Sequence, residues 1–391
     1  MVAAVSEANE PVRGERRLSG PRSGEGEPSG EPGEATREVR RTASPETRRE
    51  TQPHLLLGIE TSCDETAAAV VAGGRTQVSS VVSSQVDLHA EFGGVVPEIA
   101  GRAHLERIVP VVRKALADAG VDDPGRQLAA VAATTGPGLV GALLVGVAHA
   151  KALSLAWGVP FVGVNHLEGH LYASLLEDAE FEPPLVVLLV SGGHSLLVHV
   201  VAPGRYRLLG RTIDDAAGEA YDKVARMLDL GYPGGPVIDR LAATGDPGIV
   251  RFPRGLIDEP GCDLSFSGLK TSVLRWVRAH PEAAVADVAA AFQEAVVDVL
   301  AVKLRRAAAL VGAPAVCLAG GVAANSALRA RVAADAEADG RRCFLPSRAM
   351  CTDNAAMVAA AGWWRWRTDG PSPLDAPADP NLRLGYEPTP A

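Results

Sequence analysis

Two histidines four residues apart are the sharpest chemical signal in the sequence. His166 and His170 stand in the segment HLEGH, and on a helix this spacing puts both imidazoles on one face, where they can bind one metal ion. An HxxxH pair taken alone more often consists of two ordinary surface histidines. Here the pair follows an apolar strand predicted over residues 159–164, and ligands of α/β folds bind at such strand ends. This position favours a metal site.

A zinc protease is the obvious competitor for this motif. Such proteases need a glutamate directly after the first histidine as their general base, but Leu167 occupies that position. Glu168 comes one residue later, about 200° round a helix from His166, and cannot share the metal face. The sequence therefore argues against a metalloprotease.

A third metal ligand has to come from elsewhere in the chain, and Asp353 is a good candidate. It stands in the segment CTDN, at the predicted start of the last helix. An aspartate at that place can equally be an N-terminal cap, because its side chain accepts hydrogen bonds from free backbone N–H groups. From spacing alone, both roles stay open.

Two segments share a strand–turn–strand pattern. The apolar run 55–59 leads into the polar segment 60–66, and the apolar run 185–190 leads into the segment SGGH at 191–194. Each pattern predicts a hairpin, and two such hairpins indicate an internal duplication. Paired turns of this kind present backbone N–H groups that can hold the phosphates of a nucleotide. A Ser-Gly-Gly turn alone is weak evidence, since any tight hairpin uses such residues.

Three further segments carry polar groups that suit a ligand. Asn325 closes the segment GGVAAN after another apolar strand, and its amide could hydrogen-bond a flat ligand such as adenine. Asp222 lies in the helix GEAYDKVA, where a carboxylate could bind ribose hydroxyls, although a solvated first helical turn explains it as well. The loop GYPGGP, which precedes Asp239, needs unusual backbone angles.

The elements that must position these residues alternate between strands and helices. Apolar spacing predicts helices over 103–119 and 285–310, a buried strand over 315–319, a helix from Asn325 and a last helix over 355–366. Alternation of this kind is typical of an α/β fold with two domains.

The domain organisation follows from shifts in composition. Residues 1–52 are rich in Gly, Pro, Ser, Glu and Arg without apolar periodicity, so we expect a disordered extension. We expect a first domain at 53–180, onto which a helix at about 353–368 packs back, and a second domain at 181–352. Residues 370–391 read as a proline-rich tail.

Composition limits the classes of protein that remain. The 391 residues are 47% hydrophobic and 22% charged, which is a globular balance, and the net charge is −9. An RNA substrate would therefore need a local positive patch or a helper protein. The five cysteines form no CxxC pair, which fits a reducing cytosol. The uncharged stretch 128–150 is long enough to raise the question of a membrane span, but a strand, a tight loop and a buried helix explain it better.

Taken together, these segments resemble the TsaD family of tRNA threonylcarbamoyltransferases, the bacterial relatives of the Kae-type proteins. The resemblance runs from about Leu57 to Gly362, nearly all of the chain predicted to be ordered. The matching segments, in order, are GIETSCDET, the stretch from His89 through GGVVPE to His104, GPGL, HLEGH, VSGGH, GEAYDK, GYPGGP, SFSGLKT, GGVAAN and CTDN. So many motifs in one order exclude chance.

The resemblance implies a duplicated two-domain actin-like fold, with mixed sheets flanked by helices, and an acyltransferase reaction. Members transfer the threonylcarbamoyl group from threonylcarbamoyl-AMP to N6 of adenosine 37 in tRNAs that read codons beginning with A. One divalent metal ion per chain, Fe²⁺ in the first place or Zn²⁺, maps to His166, His170 and Asp353. The family's contacts to the adenylate map to nine residues: Leu189, Val190, Ser191, Gly192, Gly193, Asp222, Gly235, Asp239 and Asn325.

The chemistry of the residues agrees with that reaction. N6 of adenine is a poor nucleophile, but the donor is a mixed anhydride with a good leaving group, so positioning and a Lewis acid can suffice. If a base takes part, Asp64, Glu65 and His194 are the candidates. The acidic net charge predicts that tRNA binding needs help from other proteins, and the resemblance implies that these are a TsaB-like dimerising partner and a TsaE-like ATPase. We expect a cytoplasmic protein without a membrane role.

Two other classes of function remain to be compared with this one. An ATP-hydrolysing or sugar-phosphorylating actin-like enzyme would use an aspartate base and Mg²⁺ rather than two histidines. A non-catalytic subunit of the same modification complex would lack the HxxxH pair, which this chain has.

Overall fold

Two five-stranded sheets form the frame of the protein in a computed structural model that describes residues 54–385. The extension predicted over 1–52 and the end of the predicted C-terminal tail lie outside these residues. Residues 54–385 all belong to one compact unit, and the two sheets share part of its core.

The first sheet follows the hairpin predicted near residue 55. Its strands are β1 (Leu55–Glu60), β2 (Glu65–Ala72), β3 (Thr76–Ser84), β4 (Leu128–Gly136) and β5 (Phe161–Asn165). They lie in the order β3-β2-β1-β4-β5, with β1–β2 and β2–β3 antiparallel and β1–β4 and β4–β5 parallel. The two parallel strands place their carboxyl ends beside the β1–β2 turn.

The second sheet repeats this plan. Its strands are β6 (Leu185–Val190), β7 (Ser195–Ala202), β8 (Arg205–Arg211), β9 (Ala315–Ala319) and β10 (Arg342–Phe344). They lie in the order β10-β9-β6-β7-β8, again with an antiparallel hairpin followed by parallel neighbours. The predicted internal duplication is therefore confirmed at the level of topology. We name the β1–β2 turn, residues 61–64, the first hairpin turn, and the β6–β7 turn, residues 191–194, the second hairpin turn.

Helices cover both sheets. The helices are α1 (Val86–Ala90), α2 (Pro97–Asp118), α3 (Pro124–Gln127), α4 (Val140–Trp157), α5 (His166–Tyr172), α6 (Ala217–Met227), α7 (Gly234–Ala242), α8 (Ser267–Ala279), α9 (Val285–Leu310), α10 (Ser326–Ala338), α11 (Arg348–Cys351) and α12 (Ala355–Asp369). Short 3₁₀ turns occupy Ala173–Leu176, Pro247–Ile249 and Gly321–Ala324. The helix predicted over 285–310 has these bounds, whereas the one predicted from residue 103 begins earlier, at Pro97.

Alanine-rich helices allow close packing at the centre of the molecule. α12 packs on β1, β2 and α5, and the carbonyl of Ala355 approaches Gly58 so closely that a Cβ at that glycine would collide with it. One buried cluster joins residues of both sheets with α5 and α12, among them Leu56, Val187 and Met357. This shared core holds the two halves together at the place where the HLEGH segment lies.

Helix α4 contains the apolar stretch that raised the question of a membrane span. Among the described residues it is the one helix long and apolar enough to cross a membrane by length and composition, and a third of that window (33%) is buried in the protein. The sequence predicted a strand, a loop and a buried helix here. The strand is β4 and the helix is α4, but much of α4 is exposed, with Val140, Leu144 and Leu155 more than half accessible.

Candidate metal centre and ligand cavity

Helix α5 begins at the end of a buried strand, which places its histidines in the interior. Asn165, the last residue of β5, caps the helix: its side-chain oxygen accepts a hydrogen bond from Leu167 N at 2.9 Å. Helix α5 therefore begins at the edge where β1, β4 and β5 end. All of its residues are buried, including His166 and His170. They are not surface histidines.

The structure brings Asp353 to these two histidines. One possible ligand atom from each of the three residues lies within 4.8 Å of the others. Asp353 Oδ1 is 3.2 Å from His170 Nε2 and 3.6 Å from His166 Nε2. The two imidazoles meet edge to face, with ring centroids 4.8 Å apart and an angle of 80° between the rings.

The neighbouring asparagine takes one of the two roles that the sequence left open for Asp353, that of the helix cap. The N-cap of α12 is Asn354, whose side-chain oxygen accepts from Met357 N at 3.0 Å. The helix therefore does not use Asp353 as its cap. The Asp353 carboxylate is turned instead toward the histidine pair.

A second, fully buried carboxylate stands behind His166. Glu60 Oε2 is 3.2 Å from His166 Nδ1 and accepts a hydrogen bond from Thr134 Oγ1 at 2.6 Å. Glu60 Oε1 accepts from Ser62 N at 2.5 Å, and Ser62 Oγ also lies 3.2 Å from His166 Nδ1. The Nδ1 side of His166 is thus occupied by protein, while its Nε2 side faces Asp353.

His170 offers the clearest sign that a further group belongs here. Both of its ring nitrogens are buried, and neither has a hydrogen-bond partner of acceptable geometry among the described residues. Leaving buried polar atoms unpaired costs about 1–3 kcal/mol each, so native proteins rarely do it. Two imidazoles and one carboxylate are ligands that both Zn²⁺ and Fe²⁺ accept, so the residues present fit a divalent ion.

Charges in this cluster shift the acidities of its members. Burial by itself lowers the pKa of His166, but the carboxylates of Asp353 and Glu60 raise it to about 9. Burial by itself raises the pKa of Asp353, but the positive charges of the neighbouring histidines, His166 first, lower it to about 2.

The three residues considered as a base lie around the same cluster. Burial and the charges of His166 and His170 lower the pKa of His194 to about 4, so its imidazole is neutral at pH 7. Burial and the charges of Asp353 and Asp64 raise the pKa of Glu65 to about 10, so its carboxyl is protonated there. Asp64 is buried in the first hairpin turn.

A cavity of about 700 Å³ opens in the second half of the molecule. Five of the nine residues predicted to bind the adenylate line it, namely Gly192, Asp222, Gly235, Asp239 and Asn325. Thr352, next to the metal-cluster residue Asp353, lines it as well. The cavity therefore reaches from the α6–α7 region to the neighbourhood of the histidine pair.

The other four predicted contact residues do not line the cavity. Leu189 and Val190 belong to β6, and their side chains are fully buried in the core. Ser191 and Gly193 belong to the second hairpin turn, where Ser191 N donates to His194 O at 2.8 Å. Leu189 and Val190 pair with β7, and Leu189 also pairs with β9.

Two predicted side chains are already used within the protein. Asn325 Oδ1 caps α10 by accepting from Leu328 N, and its Nδ2 donates to Gln293 Oε1 at 2.7 Å. The free amide that the sequence suggested for binding a flat ligand is therefore committed to the fold. Asp239 accepts from both the backbone and the hydroxyl of Ser326, at 3.0 and 2.8 Å, so it too fixes the start of α10.

Glycines of the cavity wall leave room that the protein itself does not need. A Cβ added at Gly192, Gly235 or Gly321 would meet no heavy atom within 4 Å. None of these three has a positive φ, so neither packing nor backbone angle demands glycine. The space in front of them suits a ligand that approaches the backbone closely.

Glu168 lies away from the metal cluster, as the helix geometry predicted. Its carboxylate accepts from Tyr206 OH at 2.8 Å and pairs with Arg365 at 3.2 Å. Tyr206 OH in turn lies 3.2 Å from Tyr172 OH. Glu168 therefore links α5 to β8 and α12 and is not placed to act as a protease base.

Sequence reasoning missed several residues of this site. Arg240 and Arg348 line the cavity and supply positive charge there, and Glu60 supports His166. Glu60 did carry a signal, because a charged residue closes the otherwise apolar strand 55–59. Arg240 and Arg348 carried no such signal in the sequence, since exposed arginines are common throughout the chain.

Comparisons with known proteins agree with this geometry. Residues 76–360 match the family described as TsaD, tRNA N6-adenosine threonylcarbamoyltransferase. A relative of that name from Symbiobacterium thermophilum is 56% identical over 334 residues, which make up 85% of this chain and 97% of the relative. A relative of the same name from Desulforapulum autotrophicum is 53% identical, over 79% of this chain and 93% of the relative. Another from Clostridium perfringens is 48% identical, over 85% of this chain and 98% of the relative.

Two solved structures of HypF resemble the fold. HypF of T. kodakarensis superposes with a TM-score of 0.56 at 15% identity, over 81% of this chain and 48% of its own. Full-length HypF in a phosphate- and nucleotide-bound form superposes with a TM-score of 0.54 at 12% identity, over 82% of this chain and 48% of HypF. The chain thus spans about half of HypF, and the likeness concerns the fold alone. The expected duplicated actin-like α/β fold is confirmed.

Proposed function

The chain belongs to the TsaD family of tRNA N6-adenosine threonylcarbamoyltransferases, and from this we propose that it transfers a threonylcarbamoyl group to N6 of adenosine 37 in tRNA. Threonylcarbamoyl-AMP is the proposed donor, and tRNAs that read codons beginning with A are the proposed acceptors. The observation that carries the proposal is the convergence of His166, His170 and Asp353 next to an open cavity.

The metal-ligand role of these three residues is part of the proposal. They would hold one divalent ion, Fe²⁺ in the first place or Zn²⁺, because the donor set and the unpartnered nitrogens of His170 suit such an ion. When bound, the ion supplies Lewis acidity for the acyl carbonyl and charge for the phosphate. The remaining work falls to residues of the chain.

The cavity would hold the adenylate part of the donor. Its volume of about 700 Å³ is in the range of small-molecule sites, and the open glycine backbone at Gly192 and Gly235 suits close contact with the ligand. Arg348 lines the same wall and can neutralise phosphate charge. Asp222, whose carboxylate accepts from Gly234 N at 2.8 Å, keeps a second oxygen for a ribose hydroxyl.

The reaction forms one bond and breaks one. N6 of the adenosine attacks the threonylcarbamoyl carbonyl, the C–O bond to phosphate breaks, AMP leaves, and N6 loses one proton. We propose His194 as the acceptor of that proton, because it stands in the second hairpin turn, two residues from Gly192 of the cavity wall. Glu65 is protonated at pH 7 and suits the role less, whereas Asp64 stays the second candidate.

Recognition of tRNA would involve the segment around Phe92. Phe92 is the one exposed Phe, Tyr or Trp side chain among residues 54–385, with 58% of its surface accessible. The carbonyl of the next residue, Gly93, accepts from Arg226, which lies one helical turn from the cavity residue Asp222. Exposed aromatic rings and arginine side chains are groups that stack on unpaired bases, so this segment suits contact with RNA.

A protein partner is expected because the chain is acidic, with a net charge of −9. The packed helices α2 and α4 expose large apolar side chains, among them Leu105, Val109, Leu144 and Leu155. We propose that a TsaB-like protein covers this face and that a TsaE-like ATPase completes the assembly. The setting is cytoplasmic, where tRNA modification takes place.

Reconstitution tests the proposed function directly. The chain would be mixed with TsaB-like and TsaE-like partners, threonylcarbamoyl-AMP and unmodified tRNA, and the nucleosides analysed by mass spectrometry. We expect the modified adenosine with the wild-type chain, and a product level at background with His166→Ala or Asp353→Ala. Full activity of either variant would show that the metal assignment is wrong, and an inactive wild-type mixture with folded proteins would contradict the function itself.

A matched variant separates loss of metal from general damage. His199 is buried in β7, and one of its ring nitrogens, Nδ1, has no hydrogen-bond partner among the described residues, but it belongs to no ligand cluster. His199→Ala removes a buried imidazole without touching the metal ligands. We expect this variant to keep its product level as long as it folds.

A further inference from the structure

Glu60 is a buried carboxylate that the proposed chemistry does not use. It ends strand β1, is 0% exposed, and contacts Nδ1 of His166, the ring nitrogen that does not face Asp353. Burying a charge without compensation costs several kcal/mol. Such a residue therefore needs a reason beyond filling space.

The surroundings of Glu60 fix the position of its carboxylate. Thr134 of β4 donates to Oε2 and the backbone of Ser62 donates to Oε1, so both oxygens are held from within the first sheet. Both donors belong to the packed first sheet and its turn, and each oxygen of Glu60 acts as an acceptor toward them. The carboxylate is thus held in one place, with Oε2 against His166 Nδ1.

A purely structural role is the simplest alternative. On that view Glu60 joins β1 to β4 and to the first hairpin turn, and its contact with His166 is incidental. Replacement would then lower stability but leave the affinity for a metal ion unchanged. The two roles therefore differ in a quantity that can be measured without any assay of activity.

We propose that Glu60 is a positioning residue for the metal centre: by accepting a hydrogen bond from a protonated Nδ1 of His166, it selects the tautomer that leaves Nε2 free and aims the ring at the metal position. The inference rests on the proposed metal site. In general, a carboxylate that holds the second nitrogen of a ligating histidine fixes the ring and raises its basicity. Loss of such a partner lowers metal affinity about 10–100-fold.

Ser62 is the other group within reach of Nδ1, since its hydroxyl also lies 3.2 Å away. A hydroxyl can both donate and accept, so it does not select one tautomer. Both Glu60 oxygens already accept hydrogen bonds, from Thr134 Oγ1 and Ser62 N, so Glu60 faces Nδ1 as an acceptor and the proton lies on Nδ1. For this reason Glu60, rather than Ser62, is assigned the positioning role.

The test is the Zn²⁺ affinity of the purified full-length chain. The protein is stripped of metal, and Zn²⁺ binding is measured by competition with a chromogenic chelator for the wild type, Glu60→Gln and Ser62→Ala. We expect Glu60→Gln to bind Zn²⁺ about 10–100-fold more weakly and Ser62→Ala to stay within about threefold of the wild type. Equal affinities of Glu60→Gln and the wild type would overturn the inference.

Glu168→Gln is the matched control. Glu168 is also a buried carboxylate, 3% exposed and on the same helix as His166, but it is bonded to Tyr206 and Arg365. We expect its replacement to leave Zn²⁺ affinity within about twofold of the wild type. A loss as large as that of Glu60→Gln would mean that any buried charge near α5 acts on the site, and would contradict a specific role of Glu60.

The tautomer of His166 supplies a readout that a structural role would not move. Long-range ¹H–¹⁵N correlation spectra of the zinc-loaded protein distinguish protonated from bare ring nitrogens. We expect the proton on Nδ1 in the wild type and a mixed or reversed signal in Glu60→Gln. An unchanged spectrum in a variant of unchanged affinity would assign Glu60 to structure alone.

Thr134→Val keeps the proposal testable if Glu60→Gln does not fold. This variant preserves the carboxylate but removes one of the groups that hold it, so we expect a loss of Zn²⁺ affinity of a few fold in a folded protein. No change in a folded Thr134→Val, with Glu60→Gln unfolded, would count against the inference. Failure of the transfer reaction with normal zinc binding would contradict the proposed function and leave the role of Glu60 intact.

Discussion

The two hairpin turns occupy equivalent places in a duplicated topology, yet they have become opposites. The first hairpin turn is filled: Thr61 donates to Ala142 O at 2.9 Å, Cys63 O lies 3.0 Å from His104 Nε2, and Ser62 O accepts from Leu139 N at 2.8 Å. The second hairpin turn is open, with free space in front of Gly192 and Gly193. In the proposed function, the first turn would support the metal ligand His166 through Ser62, and the second turn would offer its backbone to the ligand.

In a repeated fold, one copy of a turn can thus hold side chains in place while the other copy stays open for a ligand. A filled turn fixes side chains that must keep their geometry, because each is held from several elements. An open turn leaves backbone N–H groups accessible to charge that arrives with the ligand. Three predictions test how strictly the two tasks are separated.

Metal removal should give the largest effect. Treating the assembled enzyme with a chelator should reduce the transfer rate to background, by more than about 100-fold. Three side chains converge on the proposed metal position. Removing the ion itself should therefore cost more than the roughly 10–100-fold lost when a residue that supports one ligand is replaced. Binding of AMP to the chain, measured by calorimetry, should fall by less than about tenfold, since the cavity wall belongs to the second hairpin turn and α6–α7.

Restoring the activity with Fe²⁺ or Zn²⁺ is the control for this treatment. If AMP binding disappears together with the metal, the two regions are not separate, and the comparison between the turns fails at its main point.

Glycine-to-alanine changes should act differently at the two turns. A Cβ at Gly192 meets nothing within 4 Å, so Gly192→Ala should leave the free energy of unfolding within about 1 kcal/mol. The same methyl group enters the space proposed for the ligand, so the KM for threonylcarbamoyl-AMP should rise about tenfold, which corresponds to about 1.4 kcal/mol. Steady-state kinetics and urea denaturation measure the two quantities.

Gly138→Ala is the matched change beside the first hairpin turn. Its Cβ would lie 2.5 Å from Ser62 O and 2.8 Å from Ser62 Cβ, so the free energy of unfolding should fall by about 1–3 kcal/mol. A destabilised Gly192→Ala with an unchanged KM would reverse the roles assigned to the two turns.

Tyr206→Phe should give the smallest effect on the reaction. It removes a hydrogen bond to the buried Glu168, so the free energy of unfolding should fall by about 1–3 kcal/mol, while kcat stays within about twofold. Denaturation and transfer rate are compared at a temperature where the variant is folded. A stable variant with a strongly reduced kcat would mean that Glu168 takes part in the chemistry, contrary to its place outside both turns.

Local patterns in the sequence determined the elements and the type of chemistry. Apolar runs that end in small polar turns predicted both hairpins, and the helix at 285–310 was predicted with the bounds that the structure has. The spacing of His166 and His170 indicated a shared face, because on a helix residues four apart lie one above the other. Such inferences succeed because backbone geometry over a few residues decides them.

Only the tertiary structure decided which groups surround those histidines. Glu60 reaches His166 across 106 positions and Thr134 across 74, and no local pattern carries such a pairing. The structure likewise gave the cap of α12 to Asn354 and committed Asn325 to Leu328 and Gln293. A polar side chain has one set of hydrogen bonds to make, and its partners depend on which distant elements the packed core brings within about 3 Å of it.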